Sequence, residues 1–393
     1  MRPDAHNYQR RIERFFEKLK NNEAIHEEDK QLLEKYRDYL ASEGITLGRI
    51  GKYLTDLRKA SELLGKRYQE ADEQDIRRIV SIYESNERYS PWSKRDFKVA
   101  LRKFYTWLRR TKEYPPEVAW IKVYTRIRNA RAAEDMLTEE EVKRLIDFAG
   151  KGQWKAFIST LYESGCRIGE LIYLKINQVK FDDLGAQLFV TGKTGFRRVR
   201  VIAAVPYLQD WINEHPLKND PEAYLWLSNK LKPFTYNGIT RILRLSARKA
   251  GIQKRMNPHN FRHSRATFLA NHLTEAQMKE HFGWVQGSDM ASIYVHLSGR
   301  DVDKALLKVY GIENAEQKKE SVFKSKECAR CQLSNQATNK FCSRCGMPLD
   351  EEAKIDIFKK DAERNEADKV LDRLLEDQEF RQMFVRKVIN LTK

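Results

Sequence analysis

Over residues 1 to about 132, apolar positions recur every three to four residues, the period of an amphipathic helix. "TLGRIGKYLTDLRKASELLG" places Ile50, Tyr53, Leu54, Leu57 and Leu64 on one face. "SPWSKRDFKVALRKFYTWLRRTK" (90–112) predicts another helix, with Ser90 as N-cap and Pro91 at the first helical position. Its apolar stripe is Phe97, Leu101, Phe104 and Leu108. "EYPPEVAWIKVYTRIRNARAAED" (113–135) breaks the pattern with two prolines and turns basic, as an interdomain linker does. A new amphipathic helix opens at "MLTEEEVKRLIDFAG", where Thr138 and Glu141 make a capping box. Helices are expected at 153–164 and 167–175. The period then shortens to two in "AQLFVTGKTGFRRVRVIA" (186–203), a hairpin turning at "KTGF". Helical spacing returns around 204–214, 237–249, 259–272, 274–281, 288–296 and 299–309. A polar stretch, 311–327, reads as a second linker. The tail, 351–393, predicts one long charged helix with Ile355, Ile357, Val370, Leu374, Phe380, Phe384 and Val388 as its apolar positions.

This pattern predicts a mainly α protein with one small β-hairpin sheet. The segments are a helical domain and linker (1–132), a second domain (133–312), a cysteine-rich module (325–350) and a helical tail (351–393). No internal repeat is visible. At 393 residues the chain is long enough for two or three domains. No apolar run reaches the roughly 18 residues of a membrane span, and the charged start has no signal-peptide core. A cytoplasmic location without membrane contact is expected.

Charge changes the picture more. The formal net charge is +17, which favours a polyanionic partner. In 90–112, eight lysines and arginines stand against one acid, Asp96. A solvated face explains such a run in most helices; here the single sign points to phosphates. Lys94, Arg95, Lys98, Arg102 and Lys103 are the candidate contacts on this helix, joined by Lys122, Arg126, Arg128 and Arg131 in the linker.

Chemistry-bearing residues cluster later. "SGCRIGEL" puts Arg167 after a glycine turn, with Glu170 three residues on and on the same face. That spacing fits an ordinary ion pair or an arginine aimed by a carboxylate. Lys193 sits at the hairpin turn. "PHNFRH" places His259, Arg262 and His263 within one turn; the two histidines have the spacing of a helical metal pair, and His259 with Arg262 could instead grip a phosphate. "HFGWVQGSDMASIYVH" adds Trp284 and Tyr294.

The order Arg, Lys, His-x-x-Arg, Gly-Trp, Tyr resembles the tyrosine recombinase, or phage integrase, family across roughly 135–311. There the same residue types follow one another in a Gly-x-Arg-x-x-Glu setting, a β-hairpin and a final helix. The resemblance implies a SAM-like helical core-binding domain at the N-terminus, clamping DNA together with an α+β catalytic domain. It implies that Arg167 and Arg262 bind the scissile phosphate and that Tyr294 is the nucleophile, with Tyr310 as the alternative. His259 would relay the tyrosine's proton, and Lys193 would protonate the departing 5′-oxygen. Trp284 would donate its indole N–H or buttress Tyr294, Glu170 would support Arg167, and His263 would brace its helix from behind. It further implies a 3′-phosphotyrosyl intermediate, no catalytic cofactor, and a dimer or tetramer on a specific double-stranded site. A type IB-like topoisomerase and a catalytically inactive DNA-binding protein are the alternatives.

The cysteines are independent of this. Cys328, Cys331, Cys342 and Cys345 form C-x2-C-x10-C-x2-C, the pattern of a four-thiolate zinc ribbon. With four protein ligands that zinc is structural. Such a ribbon after an integrase-like domain resembles archaeal and Xer-like members. Cys166 stands apart as a small buried residue.

Overall fold

The computed structural model describes residues 7–123, 135–192, 195–297 and 323–391. The chain divides into two compact units, Met1–Ala130 and Arg131–Lys393. Among the described residues no helix is long and apolar enough to cross a membrane.

The first unit is all helix: α1 (Tyr8–Lys20), α2 (Glu27–Ser42), α3 (Leu47–Leu64), α4 (Glu73–Ser85), α5 (Pro91–Leu108) and the short α6 (Pro116–Ala119). The Ser90 hydroxyl accepts from the Ser93 N–H at 3.2 Å, and Pro91 opens α5. The expected stripe faces inward: Phe97, Leu101 and Phe104 are buried, joined by Tyr36, Tyr68 and Tyr105. The Phe104 ring lies 5.1 Å from that of Tyr36 and 4.7 Å from that of Tyr68. Burying such aromatic surface is the main stabilising term in so small a unit.

The second unit is built on α8 (Gly152–Ser164), whose residues Ala156–Ser164 are all buried. Around it pack α7 (Glu139–Asp147), α10 (Val205–Glu214) and α12 (Pro258–Ala270). Thr138 and Glu141 form the expected capping box on α7. The sheet has three antiparallel strands in the order β1 (Val179–Asp182), β2 (Gly185–Gly192), β3 (Gly195–Val201). The sequence reading found the β2–β3 hairpin and missed β1, which is too short, with only Val179 buried, to show a period of two. The Glu163 carboxylate at the end of α8 accepts backbone N–H groups from Ile202, Ala203 and Ala204 at 2.8, 2.9 and 2.7 Å, tying the end of β3 and the start of α10 to the core helix. The short α9 (Ile168–Ile172), α11 (Tyr236–Lys249), α13 (Glu275–Phe282) and α14 (Met290–Leu297) complete this part. The expected helix at 299–309 lies outside the described residues.

Two expectations about the C-terminal end change. In the expected linker, 311–327, the described residues 323–327 are packed: Phe323 is buried with its ring 5.8 Å from that of Tyr162, and Lys326–Glu327 form strand β4, paired with β5 (Ser334–Asn335). The tail is two helices, α15 (Glu351–Glu376) and α16 (Gln378–Leu391). They are divided at Asp377, whose carboxylate accepts the Phe380 N–H at 2.8 Å and so starts a new helix.

Candidate active site

Three segments distant in sequence meet at the end of α8. Gly165 terminates α8 with φ 56°, and a Cβ there would lie 2.5 Å from the Phe282 ring. This left-handed turn suits glycine and sends the chain directly into α9. Arg167 is thereby the N-cap of α9, about one-third exposed. It donates to Glu170 Oε1 at 3.2 Å and to the Gly283 carbonyl at 3.1 Å. Arg262, on α12, is buried. It donates to the Gly165 carbonyl and to the Phe282 carbonyl, both at 2.7 Å. The two guanidiniums therefore hang from successive carbonyls, those of residues 282 and 283. Burial, and next the charge of Arg167, push the Arg262 guanidinium down to about 10.

Glu170 is buried and receives a second arginine that sequence reasoning did not single out. Arg197, on β3, donates Nη1 to Oε1 at 2.7 Å and Nη2 to Oε2 at 2.8 Å. Its Nε donates to the His281 carbonyl at 3.1 Å. Burial alone would raise the Glu170 carboxyl, but the Arg197 hydrogen bonds and charge, with the backbone N–H of Arg167, hold it below its usual range. A signal for Arg197 was present in the strand pattern. Arg197, Val199 and Val201 share the inward face of β3, and an arginine on an inward face requires a partner. Gly192 packs so closely that a Cβ would lie 2.0 Å from Glu170 Oε1. Lys193, the next residue, lies outside the described residues.

Tyr294 is buried among Ala266, Leu269, Ala270, Met278, Phe282 and Ala291. Its ring stacks on Trp284, centroids 5.5 Å apart and planes within 2°; Trp284 stacks in turn on Phe282 at 4.9 Å. The Tyr294 hydroxyl meets His263 through Nδ1. This corrects the expectation that His263 braces α12 from behind. His259 is exposed, and its ring lies edge-on to that of His263 at 4.3 Å. Tyr310 lies outside the described residues. Cys166 is buried, which pushes its thiol up, and its sulfur accepts from Arg197 Nη2 at 3.8 Å.

The candidate DNA contacts on α5 are less uniform than the sequence suggested, because α4 contributes Glu84. Lys98 pairs with the Glu84 carboxylate at 2.6 Å and Lys94 with its carbonyl. Arg95 lies 3.6 Å from Asp96, and Arg102 sits 3.5 Å above the Tyr114 ring. Lys103 is half-buried and Lys122 exposed. Arg126, Arg128 and Arg131 lie outside the described residues.

The four cysteines come together, with all sulfurs within 4.8 Å of one another and Cys328–Cys345 and Cys331–Cys342 pairs at 3.5 Å. They sit on two matching loops. Gln332 N–H donates to the Cys328 carbonyl at 2.8 Å, and Gly346 N–H to the Cys342 carbonyl at 3.0 Å. Both Gln332 and Gly346 are left-handed. Four such sulfurs could hold a metal ion. The module is anchored to α10: the Tyr207 and Thr338 hydroxyls are 3.2 Å apart, and Gln336 donates to Asp210 at 2.6 Å.

The phage integrase family model matches residues 135–300, the stretch that holds every residue of this site. The chain is 25% identical over 275 residues to the tyrosine recombinase XerD of Shewanella oneidensis, covering 66% of this chain and 90% of that protein. It is 28% identical over 200 residues to the tyrosine recombinase XerA of Pyrococcus furiosus, covering 48% of this chain and 68% of that protein. Its fold resembles that of the XerH site-specific recombinase bound to its palindromic difH substrate, with a TM-score of 0.54 at 19% identity, covering 79% of this chain and 98% of that one. The fold is shared with that recombinase. Residues 135–300 match the phage integrase family model, and the chain is similar to these tyrosine recombinases.

Proposed function

We propose that this protein is a site-specific DNA recombinase that cleaves and rejoins duplex DNA through a 3′-phosphotyrosyl intermediate. The observation that carries the reading is that Arg167 and Arg262 hang from successive carbonyls of one turn, directly followed by Trp284, on which Tyr294 stacks. A phosphodiester under attack gathers charge on its non-bridging oxygens, and two planar guanidiniums suit those oxygens. Both arginines are held by backbone carbonyls, and Arg167 also by Glu170, so little reorganisation is needed when charge develops. Arg167 keeps a third of its side chain exposed, and a phosphate meets it there. Tyr294 attacks and forms the covalent ester. Trp284 fixes the plane of the tyrosine ring. His259 faces the incoming phosphate from the first turn of α12, and Lys193 supplies the proton to the 5′-oxygen.

The protein acts in the cytoplasm on a specific double-stranded site, as a dimer or tetramer. Relatives bound to DNA include a lambda integrase tetramer on a Holliday junction, a likeness of fold at 14% identity. Lys94, Arg95, Lys98, Arg102, Lys103, Lys122, Arg126, Arg128 and Arg131 contact phosphates.

Cys328, Cys331, Cys342 and Cys345 hold a structural zinc. Sulfurs about 2.3 Å from a tetrahedral zinc lie about 3.8 Å apart, close to the spacing described above. With four thiolates no coordination position is left for substrate, and the reaction needs no metal.

A site DNA with a nick next to the scissile phosphate tests the reading, because loss of the short fragment traps the cleaved state. An SDS-stable protein–DNA adduct is expected, in the presence of a chelator and without nucleotide. Absence of any adduct on a bound site would mark an inactive DNA-binding protein. Relaxation of supercoiled plasmids that lack a site would mark a topoisomerase.

A further inference from the structure

The contact between His263 and Tyr294 has no part in the roles given so far. The two residues lie on different helices, α12 and α14, with ring centroids 5.7 Å apart. Nδ1 of His263 meets the phenol oxygen directly. Stacking on Trp284 holds the tyrosine ring in one plane, so the direction of its hydroxyl is set as well. Tyr294 is only 4% exposed, which leaves little water beside the phenol to receive a proton. Arg262 is committed to two carbonyls, and an arginine does not serve as a base.

We propose that His263 accepts the phenol proton as Tyr294 attacks, in place of His259. The inference rests on the reading of Tyr294 as nucleophile. In the forward step the Tyr294 oxygen bonds to phosphorus and the bond from phosphorus to the 5′-oxygen breaks. The phenol proton moves to His263 Nδ1, a step that takes the neutral tautomer protonated on Nε2 to the imidazolium. The 5′-oxygen takes its proton from a separate acid, Lys193 in the reading above. On rejoining, His263 returns the proton to the phenolate. His259, exposed and edge-on to His263, is left to the phosphate.

The test replaces His263 by phenylalanine, which keeps an aromatic ring but has no acceptor, and by asparagine in parallel. Positioned proton transfer contributes typically about 10²–10⁴-fold, and cleavage of nicked site DNA is expected to slow by that order in both variants with site binding unchanged. Each variant is then prepared with a fluorinated tyrosine at position 294, whose phenol is more acidic and depends less on a base. The fluorinated residue is expected to recover a large part of the loss in the His263 variants and to change the parent rate little. Parent-like cleavage in either variant, or a loss that the fluorinated tyrosine does not reduce, overturns the proposal. Tyr294→Phe separates the two levels of the reading. If it still forms the adduct, the nucleophile is misassigned; if it is inactive while His263→Phe cleaves normally, only the proton acceptor is.

Discussion

Glu170 holds three groups at once: the Arg167 guanidinium, the Arg167 backbone N–H and the Arg197 fork. Through Arg197 it joins β3 to α9, and Gly192 closes against it from β2. Removing Arg197 would strip a buried carboxylate of its bidentate partner, and breaking a buried pair in this way costs on the order of 3 kcal/mol. Arg197→Ala is therefore expected to lower stability by about that amount in chemical denaturation and to cut cleavage through a misplaced Arg167. Gly192→Ala should displace the same carboxylate and lower cleavage, with site binding retained. His281, beside this cluster, is pushed down to about 4, first by burial and then by Arg265, Arg197 and Arg262. Its folded pKa is depressed below the usual value near 6.5, so at pH 7 the ring is neutral in both states. As pH falls from about 6.5 to 4, only the unfolded chain takes up the proton, and stability falls by on the order of 3 kcal/mol. Denaturation curves at pH 7 and 5 should show the loss, and His281→Gln should reduce it. Arg167, Arg262 and Tyr294 were legible in the sequence because their order and short local motifs carry the signal. The inward face of β3 marked Arg197 as needing a partner, but which partner it and His263 meet was not legible, since Glu170 and Tyr294 lie 27 and 31 positions away, a distance that periodicity does not span.

At the scale of elements, the hairpin, α12, α13 and α14 follow from periodicity and caps. Thr274 and Gln277 form a capping box on α13, and Asn257 caps α12 with Pro258 at its first position. The failures have physical causes. β1 offers four residues with one buried, and the tail breaks at a cap that an uninterrupted charged pattern hides. The cysteine module was legible from spacing alone; its seat on Tyr207 and Asp210 was not, because hydroxyl and amide contacts leave no periodic trace. Zinc content should be about one per chain by elemental analysis, and Cys328→Ser should lose it, since one thiolate fewer breaks a closed four-ligand site. Adduct formation by the intact chain in chelator should persist.

For the whole molecule, the net charge of +17 predicts strong salt dependence on DNA. The logarithm of affinity should fall linearly with the logarithm of salt, and Lys122→Ala should lower that slope by about 1, as the loss of one phosphate contact does. The charge alone would serve any nucleic-acid-binding protein; the site makes the chemistry specific. The most direct measurement digests the trapped protein–DNA adduct with protease and nuclease and locates the nucleotide by mass spectrometry. The expected result is a 3′-phosphonucleotide on the peptide containing Tyr294, with no adduct from Tyr294→Phe. A nucleotide on another residue, or an adduct that survives Tyr294→Phe, would contradict the account.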